Sequence, residues 1–266
     1  MIWKRKIQDQ VEKNSGRTVG TDGSSPCVAF RLDDVQDLFL NDIQMAIIDM
    51  FVKENAKLTV GIICNAFGED PTLLSHIKNA TREKENSVIR VANHGWNHED
   101  MTKLKKEDQI QLIRRSNQKI QSTLGIIPSV FIPPYNLLNS DTIAALRENN
   151  MSHVSSSLKY DPLQSRPQNS IPYRVPMTVT TSYVLFNKFW YGIANSKIMT
   201  KIHESIEKYG YAIILIHPQQ YVPNKVSIYK PEKARQKGLE KLRALIHNIR
   251  SIGLRIISIE ELNQHT

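Results

Sequence analysis

The sequence AFRLDDVQD, residues 29–37, starts as a buried strand and ends in acidic residues. Its first residues are mostly apolar and suit the interior of a sheet, yet Asp33 and Asp34 follow directly. Two adjacent carboxylates at the end of an apolar run are costly to bury unless they share a cation or a proton. The stretch therefore predicts a buried strand whose carboxyl end bears a chemically specialised pair.

Beyond this stretch, short apolar runs alternate with longer amphipathic segments up to the end of the chain. We predict strands at residues 27–32, 57–63, 87–92, 129–133, 152–157, 173–177, 211–216 and 254–259. We predict helices at residues 41–55, 70–84, 104–124, 140–149, 196–209 and 231–251. This alternation is typical of parallel strands joined by right-handed crossovers. Because no glycine-rich dinucleotide-binding fingerprint is present, a barrel of the TIM-like α/β class is favoured over an open sheet.

Length and composition agree with one folded domain. The chain has 266 residues, of which 40% are hydrophobic and 23% are charged, and α/β barrels commonly use such a length for a single domain. We predict a short helix and a polar lead-in at residues 1–26, followed by one barrel domain at residues 27–266.

The formal net charge of +9 comes from scattered basic residues. No nucleic-acid-binding motif accompanies this charge, so we predict a solvated basic surface and no nucleic-acid partner. No apolar run reaches the roughly 18 residues that a membrane span needs. The N-terminus lacks a signal-peptide pattern, so the chain as it stands is expected in the cytoplasm, or outside the cell if it is a processed form. The sequence leaves the oligomeric state open.

The two cysteines, Cys27 and Cys64, fall at the opening of one predicted strand and the close of the next. In a parallel sheet these positions lie on the order of 20 Å apart, which is too far for a disulfide. Neither cysteine has the spacing of a structural zinc cluster. We therefore predict no disulfide and no zinc cluster built on cysteine.

Polar groups follow four predicted strands at their carboxyl ends, where the active sites of barrels assemble. These groups are Asp33 and Asp34 after the first strand, His94 and His98 after the third, residues 133–136 (PPYN) after the fourth, and His217 after the seventh. Four strands thus deliver ionisable or unusual groups to one face of the barrel. We predict that this face holds the functional site.

The histidine pair suggests a metal. A spacing of four places His94 and His98 on one side of a helical turn, and Gly95 indicates a loop that enters a helix. Two histidines and one aspartate would leave an open coordination position, as in catalytic zinc sites. One aspartate could then ligate the cation while the other accepts a proton from water, and His217 could protonate a leaving group. We interpret the remaining candidates as loop, cap or structural residues: Asp37, His76, His153, His203, His247 and His265.

These stretches resemble the motifs of the polysaccharide deacetylase family, also called the NodB-homology family or carbohydrate esterase family 4. RLDDV (31–35) is similar to its Thr-Phe-Asp-Asp-Gly motif, and HGWNH (94–98) keeps both histidines of its His-(Ser/Thr)-x-x-His motif. FIPPYN (131–136) resembles Phe-Arg-Pro-Pro-Tyr-Gly, and LIH (215–217) matches Leu-x-His. The likeness runs from residue 27 to about residue 220, with the motifs in the family's order.

The resemblance implies a deformed (β/α) barrel of seven to eight units that removes the acetyl group from an N-acetylated sugar polymer or oligosaccharide. It implies one divalent metal ion bound by Asp34, His94 and His98. The donor set suits zinc, with cobalt and nickel as alternatives, and the affinity order of these metals does not choose among them.

The resemblance also implies roles for four residues around that ion. Asp33 would act as general base and His217 as general acid. The backbone N–H of Tyr135 would help to hold the oxyanion, and Leu215 would line the pocket for the acetyl methyl group.

Two departures from the family's motifs bear on the chemistry. The arginine of the third motif is Ile132 here, so the cation that braces the base is missing from its usual position. Arg31 precedes Asp33 by two residues and lies on the same strand face, so we hypothesise that Arg31 replaces it. The family's fourth motif is not recognisable around residues 155–162, and Trp190 or Trp96 could supply its aromatic wall.

Three interpretations therefore stay open from sequence alone. The first is the metal-dependent deacetylase. The second is a non-catalytic relative that binds a carbohydrate or the cell envelope, which Ile132 favours and the retained acid, base and ligand residues oppose. The third is a metal hydrolase of a non-sugar amide, which the altered fourth motif favours.

Overall fold

A computed structural model of the protein describes residues 26–37, 39–82, 87–159, 161, 171–185, 189–222 and 231–262. Residues 1–25, which include the predicted N-terminal helix and nearly all of the lead-in, lie outside these ranges, as does His265. The boundary at residue 26 therefore stays a prediction.

Within these ranges, strands and helices alternate as the sequence predicts, except at residues 179–192, where the structure has strands that the sequence does not predict. The strands are β1 (Cys27–Val35), β2 (Leu58–Ile62), β3 (Ile89–Asn93), β4 (Val130–Phe131), β5 (His153–Val154), β6 (Tyr173–Arg174), β7 (Val179–Thr180), β8 (Ser182–Leu185), β9 (Phe189–Gly192), β10 (Tyr211–Ile216) and β11 (Arg255–Ile257). The helices are α1 (Asn41–Lys53), α2 (Pro71–Ala80), α3 (Lys106–Leu124), α4 (Ser140–Glu148), α5 (Asn195–Tyr209) and α6 (Pro231–Ser251). Short 3₁₀ turns follow β4 at Pro134–Asn136 and β10 at Pro218–Tyr221.

The main sheet has the strand order β6-β5-β4-β3-β2-β1-β10-β7, and β11 also pairs with β1. Its neighbouring strands are parallel, so their carboxyl ends meet at one rim. The helices return the chain between these strands and pack on the outer face. The predicted α/β class, the deformed TIM-like barrel and the single domain are confirmed.

Side-chain alternation along β1 decides which residues point into the barrel. Phe30 and Leu32 belong to the large core that the helices cover. Ala29 belongs to a second apolar cluster, on the inner side of the sheet. Arg31 and Asp33 continue this inner series and are buried. The sequence of β1 therefore places a cation and a carboxylate inside the barrel, near its rim.

The sequence predicts neither β7 nor the hairpin of β8 and β9. Strands β8 and β9 pair antiparallel and form a separate two-stranded sheet. Tyr183 and Tyr191 face each other across it, with ring centroids 5.6 Å apart. Both rings are exposed, so this segment lacks the buried apolar run that identifies the other strands. The hairpin lies beside the turn that follows β10.

Cys27 and Cys64 are both free thiols, and both are buried. Burial raises the pKa of Cys27 to about 11 and that of Cys64 to about 12, so both thiols are protonated at neutral pH.

In the described part of the chain, no helix combines the length and the apolar character that a membrane span requires.

Candidate active site

The carboxyl ends of β1 and β3 bring together three groups of metal-ligand type. Asp34, His94 and His98 each offer one ligand atom, and these atoms lie within 4.8 Å of one another. Asp34 Oδ1 is 3.3 Å from Nε2 of His94 and 3.3 Å from Nε2 of His98. The structure therefore places the three predicted ligands in one cluster, with two nitrogens and one oxygen facing each other.

A bulge in β1 turns Asp34 toward this cluster. Between the pairs Leu32–Val60 and Val35–Ile62, β1 contains one more residue than β2. Asp34 takes up the difference with a left-handed backbone, at φ 64°. Without the bulge, Asp33 and Asp34 would point to opposite faces of the sheet. The distortion lets two adjacent aspartates serve one site.

The two histidines meet through a loop rather than a helix. The residues between β3 and the 3₁₀ turn at Met101–Lys103 form a loop that contains a bend. Gly95 and His98 both have positive φ, at 84° and 62°. A Cβ atom on Gly95 would lie 3.0 Å from Pro134 Cγ, so this tight approach favours glycine. The expected loop is confirmed, and left-handed backbone brings the rings together.

The surroundings of His94 and Asp34 suit a divalent cation. His94 Nδ1 lies 2.7 Å from the carbonyl oxygen of Ile132, which can only accept, so Nδ1 bears a proton and Nε2 is the ring nitrogen left to bind a cation. Burial disfavours the ionised Asp34, but contacts with both histidines hold the pKa of this carboxyl well below its usual range. Two imidazole nitrogens and an ionised oxygen with an open side fit zinc, cobalt or nickel.

Arg31 and Asp33 form a buried ion pair next to this cluster. Arg31 Nη2 lies 3.0 Å from Asp33 Oδ2, and neither side chain is more than 3% exposed. Burial lowers the pKa of Arg31, and the neighbouring carboxylates of Asp33 and Asp34 act in the opposite direction. Asp33 Oδ1 is buried and has no hydrogen-bond partner among the described residues. One oxygen of Asp33 is thus held by a cation while the other is free to accept a proton.

Further hydrogen bonds fix the guanidinium of Arg31, the shortest of them to Ser155 and Asn136. Its Nη1 donates to the backbone oxygen of Ser155 and to Ser155 Oγ, the latter at 3.1 Å. Its Nη2 donates to Asn136 Oδ1. Asn136 has φ 60° and occupies the position of the family's glycine. Sequence reasoning missed both partners, although a residue other than glycine at this position was a signal.

His217 follows β10 and faces an aromatic ring. Its ring centroid lies 4.7 Å from that of Trp190 on β9. Burial lowers the pKa of His217, while the charges of Asp33 and Asp34 act in the opposite direction. Of the two candidate aromatic walls, Trp190 lies at this site, whereas Trp96 packs against Arg115 at 3.7 Å.

The other predicted pocket residues also lie at the rim. Tyr135 is 58% exposed, and its ring centroid lies 4.6 Å from that of His98. Leu215 is buried on β10 and pairs in register with Arg31. Gln219, which sequence reasoning missed, donates from Nε2 to Asp34 Oδ2 at 2.7 Å.

Residues interpreted as structural have partners away from the ligand cluster. Asp37 accepts hydrogen bonds from the backbone of Glu69 and Asp70, so its prediction as a loop or cap residue is confirmed. The remaining described histidines contact other side chains: His76 with Asp49, His153 with Ser152, His203 with Glu207, and His247 with Glu54.

Comparison with solved structures shows a shared fold. A carbohydrate esterase family 4 pseudoenzyme from Bacillus anthracis superposes with a TM-score of 0.59 at 15% identity, over 90% of this chain and 65% of that one. A family 4 acetyl xylan esterase from Clostridium thermocellum, in complex with cobalt, gives 0.57 at 18% identity over 89% of each chain. The Bc1960 peptidoglycan N-acetylglucosamine deacetylase gives 0.58 at 17% identity, over 91% and 90%.

Sequence comparison identifies the family. The uncharacterized protein YlxY of Bacillus subtilis (strain 168) is 23% identical over 176 residues, which span 66% of this chain and 41% of YlxY. The model of the polysaccharide deacetylase family matches residues 20–154, which is half of the chain and includes Asp33, Asp34, His94 and His98. The protein therefore belongs to the polysaccharide deacetylase family.

Proposed function

We propose that this protein is a metal-dependent deacetylase that hydrolyses the N-acetyl amide of a sugar polymer or oligosaccharide. The observation that supports this most strongly is the adjacency of the ligand cluster to Asp33. A carboxylate oxygen without a partner lies next to a cluster that suits a cation, and a second titratable group, His217, belongs to the same site. Acid, base and metal together are needed for hydrolysis and not for binding alone.

The side chains divide the reaction between them. A divalent ion held by Asp34, His94 and His98 would supply Lewis acidity toward water and the acyl carbonyl. Asp33 accepts a proton from the attacking water through Oδ1, while Arg31 keeps the carboxylate in place. The carbon–nitrogen bond then breaks, and His217 gives a proton to the departing amine, which leaves acetate and a free amino sugar.

The remaining rim residues orient the substrate. The backbone N–H of Tyr135 donates to the developing oxyanion. Leu215 presents an apolar wall to the acetyl methyl group, and a larger acyl group would meet this wall. Trp190 offers its ring face to the sugar, because the apolar face of a pyranose packs well on an aromatic side chain.

A non-catalytic relative is the second candidate, and the specific observation in its favour is Ile132 in place of the family's arginine. The contact between Arg31 and Asp33 argues against it, since it returns a guanidinium to the base from another strand. To separate these functions, we would measure acetate release from N-acetylated oligosaccharides and from small acyl-amides. Release from the oligosaccharides supports the proposal, release only from the small amides supports a non-sugar hydrolase, and no release from either supports the binding protein.

We expect Arg31→Ala to reduce turnover by about 10- to 100-fold, because the base loses the group that orients it, while metal content stays unchanged. Removing one partner of a buried ion pair also costs about 3–5 kcal/mol of stability. The matched control is Arg174→Ala, which breaks the buried pair between Arg174 and Asp161, at 3.1 Å. Its thermal stability should fall similarly and its turnover should not. Unchanged turnover in Arg31→Ala would end the idea that Arg31 replaces the family's arginine.

We expect Trp190→Ala to raise KM for a short N-acetylated oligosaccharide by roughly 5- to 10-fold, through the lost aromatic contact. KM for a small acyl-amide should change little, since that substrate has no sugar ring. Tyr191→Ala is the control, because Tyr191 is the next residue and its ring faces the other side of the hairpin, against Tyr183. Equal effects of Trp190→Ala on both substrates would remove the sugar-binding role.

A further inference from the structure

Gln219 contacts Asp34 and has no role in the reaction proposed for this site. It lies in the 3₁₀ turn Pro218–Tyr221, two residues after His217. Its Nε2 lies 2.7 Å from Asp34 Oδ2. An ionised carboxylate only accepts hydrogen bonds, so the amide must turn its NH₂ group toward Asp34. The orientation of this side chain is therefore fixed by the aspartate.

The two oxygens of Asp34 are thereby separated by function. Oδ1 faces the Nε2 atoms of His94 and His98, each at 3.3 Å. Oδ2 is held from the opposite side by Gln219. A carboxylate held at one oxygen cannot rotate freely about its terminal torsion, which is otherwise broad. Gln219 thus presets the direction in which Oδ1 points.

The other end of the amide indicates that fold stability alone does not explain the placement of this side chain. Gln219 Oε1 is buried and has no hydrogen-bond partner among the residues that the structure describes. A buried acceptor without a partner destabilises the folded state. Gln219 leaves Oε1 without a partner among the described residues while its Nε2 is hydrogen-bonded to Asp34. The same turn begins at His217, so Gln219 also links the end of β10 to the ligand on β1.

We propose that Gln219 is a positioning residue of the metal site, whose amide holds Asp34 Oδ2 so that Oδ1 is directed at the ion. This inference rests on the metal site of the proposed function. Groups that orient metal ligands from outside the coordination sphere typically change affinity by about 10- to 100-fold when removed.

The test compares the wild type with Gln219→Met, which removes the amide at similar volume, and with Gln220→Met as matched control. Gln220 is the next residue and accepts from Thr181 Oγ1 at 2.8 Å, away from Asp34. We would measure the zinc Kd by competition with a chromophoric chelator, and the thermal midpoint of metal-free protein. We expect zinc binding to weaken by about 10- to 100-fold in Gln219→Met and to stay unchanged in Gln220→Met. The metal-free midpoint of Gln219→Met should not fall, because the lost hydrogen bond is offset by removal of the unpartnered acceptor.

Wild-type zinc affinity in Gln219→Met would overturn the inference. A purely structural role predicts a lowered metal-free midpoint and an equal loss of zinc affinity in both variants, and this result would also overturn it. The outcomes separate this inference from the proposed function. If the wild type binds zinc but releases no acetate, the deacetylase proposal fails while a weakened Gln219→Met still supports the positioning role. If the wild type binds no zinc, both fail.

Discussion

Asp33→Asn should lower deacetylase turnover by about 10²- to 10⁴-fold, the range that a general base contributes. The substitution keeps the shape of the side chain and removes the ability to accept a proton. Metal content should stay at the wild-type level, because Asp33 is outside the ligand cluster. Turnover with an N-acetylated oligosaccharide and metal by mass spectrometry, on the same preparation, check both halves of this prediction.

The control for Asp33→Asn is Asp161→Asn, in a second buried aspartate that pairs with an arginine. Each substitution replaces the carboxylate of a buried ion pair with an amide, so both variants should lose stability. Only Asp33→Asn should lose turnover. Equal turnover in the wild type and Asp33→Asn would rule out Asp33 as the base, and equal losses in the two variants would assign the effect to stability.

His98→Ala should remove the bound metal and, with it, acetate release. His98 offers one of three ligand atoms, and a site with two ligands holds a divalent ion far more weakly than one with three. We expect about one ion per chain in the wild type and a small fraction of that in the variant, measured by mass spectrometry on untagged protein. His76→Ala is the control, because His76 pairs with Asp49 at the surface. A metal content that His98→Ala leaves unchanged would contradict the assigned ligand set.

Much of the fold follows from the sequence because the strands are buried on both sides. Strands β1, β2 and β10 are almost entirely buried, and such strands appear as continuous apolar runs. Strands β8 and β9 were missed because exposed tyrosines interrupt their apolar character. Strands β5 and β6, at one edge of the sheet, have two residues each and are shorter than predicted.

The sequence predicts the positions of those site residues that lie at the ends of strands. Asp33, Asp34 and His94 lie at or directly after the carboxyl ends of β1 and β3, two parallel strands of one sheet with β2 between them, so their proximity follows from the topology. Asn136 and Gln219 could not be found this way. Their contacts depend on loop backbone, including the left-handed conformation of Tyr135 and Asn136, which apolar patterning does not encode.

Arg31 places a guanidinium beside Asp33 although the third motif of this chain has no arginine. The family's arginine would come from the loop after β4, where Ile132 now packs in the inner apolar cluster. The cation comes from β1 and is steadied by Ser155 and Asn136 from two other segments. Alternation along β1 was sufficient to predict the pairing with Asp33, because residues two apart share a face.

A metal titration of acetate release tests whether hydrolysis by this protein depends on a bound ion. The protein is stripped with a chelator, and zinc, cobalt or nickel is added stepwise in the presence of an N-acetylated oligosaccharide. We predict no release from the stripped protein, a rise with added metal, and a plateau at about one ion per chain. Acetate release by the stripped protein, or one bound ion per chain without any release, would contradict the account.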